Sequence, residues 1–111
     1  MYFLVIKMYP PPTKLQEHAK VVEGVAKTFD VNKYGEGIVE QVIGGISKTT
    51  EAGPETLAIF KVKEGKLEDA MNLAIEYHGK ISIGCEGYKV KIEPYVANTK
   101  IGELLGLPPA Q

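Results

Sequence analysis

Arginine is missing altogether: all 13 basic side chains are lysine. Arginine carries the planar fork that grips carboxylates, phosphates and guanine edges through paired hydrogen bonds, so its absence weighs against nucleotide or nucleic-acid recognition. An excess of one charge is missing too. The acids number 14 and leave a net charge of −1, which excludes the broad basic footprint that duplex DNA or an anionic membrane surface attracts. With Cys85 as the single cysteine, an internal disulfide and a cysteine-built metal site are both excluded. No apolar run reaches the length of a membrane span. Met1 to Ile6 is apolar but lacks the basic flank and long core of a signal peptide, so a cytoplasmic protein is expected. Aspartate is scarce, Asn and Gln together number six, and the charged surface is therefore Lys and Glu. That balance is a thermophile tendency, and it is equally the imprint of a genome rich in lysine codons.

Hydrophobic residues make up 44% of the 111 positions, enough for one core and one domain. Tyr2 to Tyr9 is β-branched and aromatic and stops at Pro10–Pro12, the pattern of a strand with a rigid end. Thr13 and Gln16 have capping-box spacing. Leu15, Ala19, Val22, Val25, Ala26 and Phe29 then recur at helical intervals, and the helix is expected to end between Asp30 and Tyr34. A second strand is read over 38–47, with Gly44-Gly45 marking a bulge, then a turn around Ala52-Gly53-Pro54 and a third strand over 56–63. The stripe of Leu67, Ala70, Met71 and Ala74 predicts a second helix over 66–78, stopped by Gly79. Gly84 to Gly87 reads as a loop, and 88–96 as a fourth, alternating strand. Residues 1–97 thus form one domain, followed by a tail over 98–111 with a short amphipathic turn at Ile101, Leu104 and Leu105.

The order is β-α-β-β-α-β. Short connections and right-handed crossovers make it a ferredoxin-like α+β sandwich, an antiparallel sheet ordered 4-1-3-2 with two helices on one face. Lysines set the phase of each strand. With Lys7 outward, Leu4, Ile6 and Met8 face the helices while Phe3, Val5 and Tyr9 face away. Ala58, Phe60 and Val62 go inward, with Leu57, Ile59 and Lys61 outward. Val90 and Ile92 go inward on the last strand. On the second strand Val39, Gln41 and Ile43 are expected to face out. The open face then carries an apolar patch of Phe3, Val5, Val39, Ile43, Leu57 and Ile59, larger than a soluble monomer usually shows to water, and pairing with a second copy about a two-fold axis buries it.

An apolar open sheet face on a β-α-β-β-α-β chain of this length resembles the dimeric α+β barrel group, in which two ferredoxin-like sandwiches pair sheet to sheet. The resemblance covers residues 1–97 and is architectural; it implies a homodimer and transfers no catalytic residue. Members of that group include cofactor-free monooxygenases, muconolactone isomerases, haem-dependent enzymes and stress-responsive proteins. The ligand-binding domain of the Lrp/AsnC regulators shares the topology, though the DNA-binding helix-turn-helix of those regulators is not expected here.

The topology brings the start of the first helix, the end of the second, the end of the first strand and the Cys85 loop to one end of the sheet. Tyr9, His18 and His78 are the candidate catalytic residues there, with Cys85 and Tyr77 beside them, because an inward histidine near a phenol can move a proton near neutral pH. The more ordinary role of the same histidines is as core-edge side chains bonded to backbone, His78 at a helix C-terminus especially. No metal or cofactor is expected. A metal needs a third ligand, and Glu17 and Glu76 point away from the apolar stripes. Glu86 beside Cys85 opposes thiolate formation, and Gly35-x-Gly37 precedes a strand, unlike a phosphate cradle. The expected function is small-molecule binding, or cofactor-independent catalysis, in a cavity between sheet and helices. A non-catalytic assembly or stress-related dimer is the alternative, and a ligand-sensing regulator without a DNA-binding half is another.

Overall fold

β-branched and aromatic residues place β1 at Tyr2–Tyr9, and Pro10 ends it. The chain then turns over Pro11–Lys14, where the Lys14 N–H donates to the Pro11 carbonyl at 3.0 Å. This turn takes up Thr13, so the expected capping box does not form. Lys14 occupies the N-cap position of α1 (Leu15–Thr28), without a side-chain cap. Asp30 instead caps a short further helix, α2 (Val31–Gly35), accepting from the Lys33 N–H at 3.2 Å. The computed structural model describes residues 1–97 and Gly106, so the tail and its proposed amphipathic turn lie outside the described residues.

β2 (Val39–Thr50) and β3 (Gly53–Val62) form a hairpin longer than its sequence pattern suggests, with pairing carried to Thr50 and Gly53. Gly53 has φ 114°, and a Cβ there would lie 2.9 Å from the Cβ of Pro12. The hairpin tip therefore rests on the proline turn through a position that only glycine suits.

α3 (Leu67–Gly84) passes straight through Gly79 and ends six positions past the expected stop at His78. A glycine in a helix interior costs about 1 kcal/mol. Continuing the helix buries Ile81 and places Cys85 in a second apolar cluster with Tyr88, which outweighs that penalty. Cys85 is accordingly a buried helix-capping residue, not a loop thiol. The last strand, β4 (Lys89–Val96), carries Pro94 on the edge of the sheet.

The sheet order is β2-β3-β1-β4 with every neighbouring pair antiparallel, and the helices lie on one face. This is the ferredoxin-like α+β sandwich, with three helices rather than two. Its main core joins Leu4, Ile6 and Val62 of the sheet to Ala70 and Ala74 of α3. Register confirms the phase of three strands: Val5 stands opposite Ile59 and Glu93, and Ile6 opposite Ala58 and Ile92. β2 departs from expectation. Val39 pairs with Val62 and Gln41 with Phe60, so both face the helices. Register shifts at 41–43 and 43–46 then turn Ile43 and Ile46 onto the open face, opposite Ile59 and Leu57. A bulge inserts a residue and flips the alternation beyond it, which is why parity counted along β2 fails.

No helix among the described residues is long and apolar enough to cross a membrane.

Candidate functional site

Small residues stand where large ones would close the gap between sheet and helices. Ala58 on β3, Ala70 and Ala74 on α3, and Gly35 at the end of α2 leave a cavity of about 430 Å³. That lies within the range of roughly 300–1,000 Å³ typical of small-molecule sites. Leu4, Ile6, Met8 and Phe60 supply its apolar floor, and Leu73, Tyr77 and His78 complete its roof. Gln41 and Gly44 line it from the edge strand, and Asn32 and Glu36 from the segment around α2. A Cβ at Gly44 would overlap the Gln41 amide, so the glycine is what lets that side chain lie across the bulge.

His78 is the polar group set deepest in this wall. Only 4% of it is exposed, and its Nδ1 lies 2.9 Å from the Tyr88 hydroxyl. The Tyr77 ring stands edge-on to the imidazole with centroids 5.0 Å apart. Burial pushes the His78 pKa down from 6.5 to about 4. The same desolvation, reinforced by the Tyr77 and Cys85 side chains, raises the Tyr88 phenol. At neutral pH the pair is therefore an uncharged imidazole bonded to an uncharged phenol. Either group can donate in that bond. Nε2 has no hydrogen-bond partner among the described residues.

Tyr88 organises the rest of the cluster. Its ring stacks on His18 at 5.2 Å, with its hydroxyl on His78, and it packs with Ile81 and Cys85. His18 and His78 are thus brought together, through Tyr88, as neighbours of one phenol rather than of each other. His18 is half-buried, its pKa lowered by desolvation, and it does not line the cavity. Tyr9 is not part of the cluster. It stands on the opposite face, where its hydroxyl donates to Glu55 Oε1 at 2.8 Å and Lys91 lies over its ring. The hydrogen bond to Glu55 raises the Tyr9 phenol, and Tyr9 together with Lys48 holds the Glu55 carboxyl down. Strand alternation accounts for the placement: Tyr9 shares the parity of Lys7. Tyr88 shares the parity of Val90 and Ile92, a sequence signal that places its ring on the helix side. Gln41 was hidden by the bulge and Glu36 by the unforeseen α2. Among the described residues, no group of three or more His, Cys, Asp or Glu is arranged to hold a metal ion.

A scan against protein-family models and a search of curated proteins find no match. Among solved structures the chain is similar to the de novo designed protein Foldit4, with a TM-score of 0.52 and 10% identity over 86% of this chain and 94% of that one. Two others are the designed protein LFR1 1 with ferredoxin fold, at TM-score 0.47 and 10% identity over 86% and 84% of the two chains, and protein Atu4242 from Agrobacterium tumefaciens, at TM-score 0.46 and 20% identity over 82% and 90%. The likeness to Foldit4 is one of fold alone.

Proposed function

We propose that this chain binds a small molecule in the cavity between the sheet and the α2–α3 pair, with His78 as its buried hydrogen-bonding group. The observation that carries the reading is a largely apolar cavity of about 430 Å³ with the buried His78 imidazole, bonded through Nδ1 to Tyr88, in its wall. Binding is favoured over proton transfer. A general base works best with a pKa near the working pH, and His78 is a weak base at about 4. Xenon occupies apolar cavities without needing any recognition chemistry. Crystals under xenon pressure should show it between Ala58 and Ala74, and Ala74→Phe should remove it. Xenon found only elsewhere would overturn the reading.

The open face favours a second element of the proposal, a homodimer working in the cytoplasm. Phe3, Val5, Leu57 and Ile59 form its apolar centre, with the expected Ile43 beside them and Ile46 added by the bulges. Charges frame that centre in opposite-sign pairs: Lys7 Nζ lies 3.2 Å from Glu93 and Lys48 Nζ lies 3.1 Å from Glu55. A face with an apolar middle and a border of both signs is complementary to a copy of itself about a two-fold axis. An unpaired thiol suits a reducing compartment. Light scattering at micromolar concentration should give twice the chain mass, and Ile59→Glu should give monomer or insoluble protein. A wild-type mass near 12.1 kDa would reject the dimer.

A further inference from the structure

The charge distribution around the cavity narrows what can enter it. Among the described residues, no lysine lines it. The one charged residue among its described lining is an acid, Glu36, exposed at the solvent end beside the amides of Asn32 and Gln41. Beyond that rim the described walls are aliphatic or aromatic, and the polar side chains among them are the neutral, buried His78 imidazole and the Tyr77 phenol. A carboxylate or phosphate moving inward would pass an acid, lose its water and find no cation among the described residues. An unpaired buried anion is among the most strongly disfavoured states in a protein interior. A hydroxyl or carbonyl meets no such barrier, because His78 Nε2 can accept or donate according to tautomer while Nδ1 stays with Tyr88. The aromatic rings of Phe60 and Tyr77 in its lining suit a flat, ring-containing body.

We propose that the cavity selects an uncharged, ring-containing molecule that presents one hydrogen-bonding group to His78, and that it rejects anions of the same size. This rests on the cavity reading above and adds the ligand class to it.

Four probes of one shape test the selection by calorimetric titration at pH 7: 2-naphthol, 2-methylnaphthalene, 2-naphthoate and 2-naphthylmethylammonium. 2-Naphthol should bind tightest. 2-Methylnaphthalene, which lacks the hydrogen-bonding group, and 2-naphthoate should each be weaker by about tenfold or more, about 1.4 kcal/mol. The ammonium should fall between. Replacing His78→Gln should narrow the gap between 2-naphthol and 2-methylnaphthalene. Glu36→Gln, at an exposed position, should bring 2-naphthoate several-fold closer to 2-naphthol. Should His78→Gln fail to fold, the comparison of these two probes on the wild type still decides the hydrogen-bonding claim. Equal or tighter binding of 2-naphthoate or of the ammonium overturns the selection. Equal binding of 2-methylnaphthalene overturns the role of His78. Xenon in the cavity with no naphthalene bound overturns the ligand class and leaves the cavity reading standing, whereas neither binding overturns both.

Discussion

α1 and α3 differ in a way that sequence pattern reverses. α1 separates apolar from charged residues more sharply than α3, yet no residue of α1 is buried. α3 has the blunter pattern and buries Ala70, Ala74, His78 and Ile81. Position explains the difference. α3 lies over β1 and β4 and forms part of both apolar clusters. α1 leans on the flank of α3, where Val21, Val22 and Val25 are half-buried, and its Leu15, Ala19 and Ala26 remain exposed. Periodicity tells which side of a helix meets protein; it does not tell how deep that side goes.

The sharpest way to break this contrast is to hollow out each helix in turn. Ile81→Ala removes a side chain only 2% exposed and should destabilise by about 3 kcal/mol, within the range for large-to-small core changes. Val22→Ala on α1 should lose under half as much by urea unfolding. Equal losses would mean that the two helices share one core.

Acid should act next most strongly, and through α3 first. The His78 pKa lies at about 4 when folded, below its ordinary 6.5, so the unfolded chain binds the extra proton in that interval. The stability tied to its neutral form is complete above about pH 6.5 and is lost as pH falls towards about 4. The total is about 3 kcal/mol. His18 is shifted the same way. Unfolding free energies measured from pH 7 to pH 4 should fall steadily, and His78→Gln should flatten most of that slope. A flat wild-type profile would contradict the burial of His78.

The seam between the helices is tested at Gly84, where a Cβ would sit 2.9 Å from Val21 Cγ1. Gly84→Ala should cost about 1–2 kcal/mol. Pairing it with Val21→Ala should recover much of that loss, a coupling that a double-mutant cycle reads directly. At Gly79, by contrast, a Cβ meets nothing. Gly79→Ala should stabilise by about 0.5–1 kcal/mol, which a thermal melt detects. Smallest of all, Leu15→Ser at the exposed start of α1 should change stability by under about 0.5 kcal/mol. In hydrogen exchange the amides of α1 should open before those of α3.

Much of this architecture was legible in the chain. Outward lysines at 7, 61, 89 and 91 set the phase of β1, β3 and β4, because one face of each is buried and a one-residue slip would reverse it. What stayed hidden was non-local. Gly79 looks like a helix stop until the burial of Ile81 and Cys85 is known. Thr13 looks like a cap until the Pro11 turn claims its backbone. At the site, the inward His78 could be read from its place on the α3 stripe. A cavity between sheet and helices was expected from the topology, but its lining could not be read, because it arises from small residues on three separate elements that meet only once folded.

The two edges of the sheet bear on how copies of the chain meet. β2 presents its outer backbone in broken register at the two shifts between Gln41 and Ile46, and β4 interrupts its own with Pro94, which has no N–H to offer. Neither edge is a good template for another strand, and an edge is the place where strand addition repeats without limit. The proposed two-fold contact on the sheet's face is, by contrast, complete at two chains. The irregularities that obscure β2 in the sequence thus oppose open-ended growth while leaving finite assembly untouched.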